Sequence, residues 1–424
     1  MAEKIIRRLL AAALIALAAA AAAGCSAKTE RRIVIWADNS EFAPYIELFN
    51  EQHASKAVLV YKENLSTAIP AASDELQPDI IVGSWLRNER TKRTFKPADY
   101  LFDRNILSAS DFYSMLLEAG RIGRRHYLIP VSFNLPAVIF STDNEEFIEG
   151  SYMISLEQLR KAGAAYNKKN AKGAYTRIGF APQSSDEFLY HVVKVSGADF
   201  KESKNTLFTW NEDALEESIR NLKEWISTEN TSVQTESDFV YKYLSVKDDK
   251  RVLSGRTLFA YMTSDKLFQL SSEQLAKIDF RWLQNNNSIT VDDSMPMMGI
   301  ARHARNTSGA TEFISWFFKA ESQQLILDRK AELNLDTSGF GIAGGFSAVR
   351  KVNEYVLPAF YTTLLSNIPQ ADSFIVSEKK TSRWEKIKQN VIIPYIKESI
   401  AAPEGRKVMP IAERFAEWKK LGFN

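Results

Sequence analysis

The chain has 424 residues, with 54 Lys plus Arg against 52 Asp plus Glu and 45% hydrophobic residues, which is the make-up of a globular protein. Its single cysteine, Cys25, excludes a disulfide framework and a Cys-based zinc cluster, and the balanced charge argues against a dedicated nucleic-acid binder. Because one hydrophobic core stops growing at about 250–300 residues, the length predicts two or three domains.

Residues 1–8 carry Lys4, Arg7 and Arg8, and residues 9–23 are an uncharged run of mostly Ala, Leu and Ile. Fifteen residues span roughly 22 Å as a helix, short of the ~30 Å hydrocarbon core, so the segment reads as an export signal and not as a spanning helix. Ala22-Ala23-Gly24-Cys25 resembles the lipobox of bacterial lipoproteins, in which the signal is cut before a cysteine that is then lipidated. The resemblance implies a signal over 1–24 and a lipidated Cys25 opening a polar linker over 25–31. A plain secretory signal or an uncleaved anchor is the alternative. Cutting before Cys25 removes three basic residues and one acidic one, leaving 51 of each sign in 400 residues.

Residues 32–37 form a β-branched strand that ends in Asp38-Asn39-Ser40, and Phe42, Ile46, Phe49 and His53 then repeat at helical spacing. Strands are predicted at 57–61 and 79–82, with a helix between them. Such a β-α-β-α-β rhythm makes a parallel or mixed sheet whose ligands sit beyond the C-terminal strand ends, where Asp38, Asn39, Ser40, Gly83, Ser84 and Trp85 fall. A helix is expected over 110–120. Residues 126–140, interrupted by Pro130 and Pro136, look like a crossing between lobes. Ser155 with Gln158 predicts a capping-box helix reaching Tyr166, and Asn211 caps another whose Leu215, Ile219, Leu222 and Ile226 make a core stripe. Strands are expected at 257–261 and 278–283, a loop at 285–288, and one helix over 310–327 with Phe313, Ile314, Phe317, Phe318 and Leu325 on its buried side.

The order of these pieces resembles a known family. IVIWADNSEF, PYIELFNEQH, PDIIVGSW, HYLIPVSFNLPAVIFSTDN, SLEQLRKAGAAY, KVSGADF, SGRTLFAYMTSDKLF, MGIARHARNTSGATEFISWFF and SNIPQADSF run in the order found in extracellular solute-binding proteins of bacterial ABC importers, specifically the carbohydrate-binding, maltodextrin-binding-protein-like group. The resemblance implies an α/β periplasmic-binding-protein-like fold of two lobes, each a mixed sheet covered by helices, joined by hinge crossings. The first lobe would be 32–132 plus 280–338 and the second 133–279 plus 339–424.

Sugars present hydroxyls around apolar C–H faces, so a sugar site needs aromatic platforms with carboxylates or amides beside them. The resemblance points to Asp38, Asn39, Trp85, Phe133, Asn134, Tyr261 and Trp282 as ligand-binding residues. Helix capping is the competing role for Asp38 and Asn39, and core packing for the aromatic residues. At Asn134 maltodextrin binders carry a carboxylate, and Ile375 stands where they carry a stacking aromatic, which argues against a linear malto-oligosaccharide. The implied protein is a monomeric receptor tethered to the cell envelope by its lipid. It closes on a small polar solute, expected to be a carbohydrate, and delivers it to the permease subunits of an ABC importer.

Other classes fit less well. Histidine occurs only at 53, 126, 191 and 303, neither H-E-x-x-H, G-x-S-x-G nor a P-loop is present, and no metal or cofactor is expected. Gly339 to Gly344 fits G-x-G-x-x-G but follows a turn-like segment, not a strand. The alternatives kept are a surface adhesin or structural lipoprotein, and a lipid-anchored glycan-processing enzyme.

Overall fold

A computed structural model describes residues 32–332 and 339–421 apart from positions 64, 151, 366, 369 and 404; the signal, Cys25 and the linker up to position 31 lie outside the described residues. The chain opens with β1 (Ile33–Ala37), α1 (Phe42–Gln52), β2 (Ala57–Tyr61) and β3 (Ile80–Gly83), the expected first unit. The helix expected between β2 and β3 shrinks to one turn, Leu65–Ala68, because Pro70 and Pro78 end any longer run. Downstream follow β4 (Ile129–Pro130), β5 (Pro136–Ser141), β6 (Met153–Ser155), α2 (Leu156–Tyr166), α3 (Glu212–Glu229), β7 (Ala260–Thr263), β8 (Ile278–Gln284) and β9 (Met297–Ile300). The C-terminal part holds α4 (Thr307–Phe317), α5 (Ala320–Glu332), α6 (Trp384–Ile387), α7 (Ile393–Ala401) and α8 (Ile411–Lys420).

Two sheets organise the molecule. The first has the order β2-β1-β3-β9-β4, with β1 parallel to β2 and β3, and β9 antiparallel to β3 and β4. The second has the order β7-β5-β8-β6, with β5 antiparallel to β7 and β8, and β8 parallel to β6. Residues 131–135 cross from one sheet to the other, as the proline-punctuated run suggests.

Every residue of β5 is buried because its two faces serve two cores. Ala137 and Ile139 face a large core that also holds β1, β3, α4, Phe280 and Trp282. Val138 and Phe140 face a second core with Phe188, the α3 stripe, Trp384 and Trp418. Both capped starts form: Ser155 and Gln158 bond reciprocally, and Asn211 accepts from the Ala214 N–H.

Three expectations are corrected. β8 pairs with β5 and β6, so residues 280–284 belong with the second sheet and the return to the first comes later, at β9. Residues 339–424 are not one block: Phe340, Phe346, Leu357 and Phe374 pack in the first core, whereas Trp384, Ile396 and Trp418 pack in the second. The helix expected over 310–327 is the pair α4 and α5, and Leu325 is 44% exposed because the turn between them rotates its face outward.

Candidate functional site

A cavity of about 510 Å³ opens where the C-terminal ends of β1, β2 and β3 meet the crossing segments and the start of α6. Parallel pairing of β1 with β3 brings Asp38 and Ser84 side by side. The Ser84 N–H donates to Asp38 Oδ2 (3.0 Å) and the Ser84 hydroxyl to the Ser294 carbonyl (2.7 Å). A side chain at Gly83 would place its Cβ 2.4 Å from Asp38 Oδ1, so glycine is what lets the carboxylate lie over β3. Burial pushes the Asp38 pKa upward, opposed by the Ser84 and Asp38 N–H groups. The carboxylate is suited to accept hydrogen bonds from a solute's hydroxyls.

Asn39 lines the same cavity, and its Oδ1 accepts from the Glu41 N–H (2.9 Å), a turn bond just ahead of α1, whose own N-cap is Glu41 without a side-chain cap. Trp85 sits at φ 61°, a left-handed conformation unusual for a bulky residue, with its carbonyl held by Asn88 Nδ2 (2.8 Å). Its indole lines the cavity and packs against the second core, so a first-sheet loop supplies a platform that reaches the other lobe.

Asn134 reaches the cavity but its amide is spent on the hinge. Ser264 Oγ donates to Asn134 Oδ1 (2.6 Å), Asn134 Nδ2 donates to the Gly344 carbonyl (2.9 Å), and the Asp292 N–H donates to the Asn134 carbonyl (2.9 Å). It ties its own crossing to the chain at Ser264, Asp292 and Gly344, which makes it a positioning residue.

The structure does not bring Phe133, Tyr261 or Trp282 to the cavity. Phe133 is 1% exposed and wedged between Tyr113, Phe346 and Phe374. Trp282 is fully buried beside Phe280 and donates Nε1 to the Asn367 carbonyl (2.7 Å). Tyr261 packs against Phe188 and His191 in the second core. The physical reason is shared: their strands are covered on the faces these rings occupy, and core packing wins over solvent access.

Sequence reasoning missed five of the residues that line the site. Tyr61 ends β2 and is 53% exposed within the cavity; the strand-end rule that marks Asp38 and Trp85 applies equally to it. Ser382, Arg383 and Lys386, at the start of α6, form the opposite wall, and nothing in their local sequence signals it. Glu63 adds a second carboxylate on the first-lobe side.

Beside the cavity the loop after β3 makes further contacts with the second lobe. Arg87 Nη1 donates to the Ser377 carbonyl (2.6 Å), the Glu89 N–H donates to Glu202 Oε2 (2.8 Å), and Glu89 pairs with Lys379. Below lies a buried ionic cluster, Asp293 with Lys194 (3.2 Å) and the Tyr190 hydroxyl. Burial alone would raise the Asp293 pKa, but Lys194 and Lys380 outweigh it and hold the carboxylate well below its usual range. Among the described residues no group of three or more His, Cys, Asp or Glu is arranged to hold a metal ion, and no helix is long and apolar enough to cross a membrane.

No protein-family model and no curated protein sequence matches the chain. Solved structures do. The sugar-binding protein MalE from Xanthomonas citri superposes with a TM-score of 0.67 at 12% identity, covering 92% of this chain and 96% of that one. An ABC substrate-binding protein from Listeria monocytogenes in complex with cycloalternan gives 0.59 at 12% identity, covering 93% and 99%. The maltose/maltodextrin-binding domain MalE from Bdellovibrio bacteriovorus bound to maltotriose gives 0.55 at 14% identity, covering 92% and 100%. The chain therefore has the two-lobed α/β fold of periplasmic substrate-binding proteins over nearly its whole described length.

Proposed function

We propose that the protein is the solute-binding receptor of an ABC importer, that it captures an oligosaccharide in the cleft between its lobes, and that a lipid on Cys25 tethers it to the cell envelope. The observation that carries the reading is the cavity itself. Two aromatic rings, Tyr61 and Trp85, share about 510 Å³ with Asp38 and the hydroxyls of Ser40, Ser66, Ser84 and Ser382. Flat apolar platforms beside in-plane acceptors and donors match the two-sided chemistry of a pyranose ring. The superposition on substrate-binding proteins solved with cycloalternan and maltotriose supports the same reading.

In this mechanism the lobes sample open and closed arrangements, and solute that touches both walls favours the closed one, which docks on the permease. Asp38 accepts hydroxyl hydrogens, Trp85 and Tyr61 stack, and Asn134 keeps the crossings in register. Transport energy comes from the importer's ATPase.

A saccharide panel tests it. At about 100 times its dissociation constant a bound solute adds roughly 2.7 kcal/mol, which for a unit of this size raises Tm by about 3 °C. Trp85→Ala and Tyr61→Ala should each weaken binding about tenfold while leaving the unliganded Tm within a degree or two. No shift with any saccharide would reject the receptor reading; a normal shift in both variants would move the site elsewhere.

A further inference from the structure

The two walls of the cleft differ in sign. The first lobe contributes the carboxylates Asp38 and Glu63 together with Ser40, Ser66 and Ser84, whereas the second lobe's wall is Ser382, Arg383 and Lys386. Arg383 is half-buried and Lys386 exposed, and among the described residues neither side chain has an ion-pair or hydrogen-bonding partner. The nearest carboxylate in their own segment, Glu385, is paired with Lys388 (3.1 Å). Two cations therefore face the cavity without a direct partner, on the wall that a closing solute must touch.

We infer, resting on the solute-binding reading above, that the solute is an acidic oligosaccharide whose carboxylate or sulfate group is held by Arg383 and Lys386. A neutral sugar supplies donors for Asp38 and Glu63 but leaves a guanidinium and an ammonium to neutral acceptors as the cleft closes. Hydrogen bonds to an ionised acceptor are about twice as strong as neutral ones, and a guanidinium fork matches two anionic oxygens at once. The acidic group seats on the second-lobe wall, away from Asp38 and Glu63, while an uncharged ring stacks on Trp85 and Tyr61. Such a solute bridges the lobes by opposite chemistry at its two ends, which is what makes closure depend on it.

Calorimetric titration of the purified protein with three trisaccharides of one linkage, neutral, uronate and sulfated, tests this. One acidic form should bind at least about tenfold more tightly than the neutral form, and the two acidic arms separate carboxylate from sulfate recognition. Its affinity should fall as salt rises from about 50 to about 500 mM, while neutral binding changes little. Arg383→Gln and Lys386→Gln should each cut the acidic-over-neutral ratio at least about fivefold, and Arg302→Gln, outside the cleft, should not. If Arg383→Gln fails to fold, Lys386→Gln and the salt series carry the same test. Neutral binding as tight as both acidic forms overturns the inference and leaves the receptor reading standing; binding of none of the three overturns this inference, and failure of the wider saccharide panel overturns the receptor reading too.

Discussion

Glu236 is fully buried, and its carboxylate accepts from the Gln183 N–H (2.8 Å) and Asn230 Nδ2 (2.5 Å). Burial nonetheless pushes its pKa up from 4.5 to about 7. His191 is the opposite case: burial first, then the Lys194 charge, lower its pKa from 6.5 to about 3. A raised carboxyl favours folding below its unfolded value, and that contribution is lost as pH rises through about 7. A depressed histidine favours folding when neutral, and its contribution is lost as pH falls from 6.5 toward 3. The His191 contribution is common to the parent protein and a Glu236 variant, so the difference between the two isolates Glu236. Scanning calorimetry should therefore show the Glu236→Gln variant losing less Tm than the parent protein between pH 6 and 8; an identical slope would refute the assignment. Individual site residues were legible where backbone position dictates exposure: Asp38 and Trp85 follow strand ends and reach the cleft. Phe133, Tyr261 and Trp282 misled because an aromatic ring serves a core and a sugar equally well, and only the covering of each sheet face separates the two.

At the level of elements, β1 through β3 could be read from their β-branched runs and turn residues, and α2 and α3 from their caps and stripe, because these signals are local. What could not be read depends on distant partners. The side on which β8 pairs is set by β5, some 140 residues earlier in the chain, and its sequence looks the same in either sheet. The break between α4 and α5 at Phe318 and Lys319 interrupts no obvious periodicity. Gly83 is the place where element packing and site meet, since β3 must end without a side chain for Asp38 to lie over it. Gly83→Ala should therefore displace the Asp38 carboxylate, weaken solute binding at least about tenfold and, through the lost hydrogen bond to Ser84, lower stability by about 1 to 2 kcal/mol. Titration beside a denaturant melt would show it; unaltered affinity would mean that Asp38 does not touch the solute.

Across the whole molecule, the segments that run between the two sheets are paired off: Phe133 with Phe346, Ser132 with Ser347, and Ile289 and Thr290 with Phe374 and Ile375. This is why the sequence shows no linker between domains: each lobe is assembled from separated segments, and the crossings are short, paired and largely buried. The other connection between lobes is not covalent. Glu89 reaches Lys379 and Glu202 from the loop that also carries Trp85, with both members of the Glu89–Lys379 pair about one-third exposed. A partly exposed pair contributes up to about 1 kcal/mol, and here it favours the arrangement in which the walls of the cleft face each other. The double variant Glu89→Gln, Lys379→Gln removes that bias without touching a residue of the cavity. Its unliganded form should show a larger radius of gyration by small-angle scattering, and its apparent solute affinity should fall about fivefold, because binding must then supply the closure that the pair no longer supports. Saturating solute should return the scattering curve to that of the parent protein. A compact unliganded variant with parental affinity would show that the pair is a surface contact with no part in setting the lobe equilibrium.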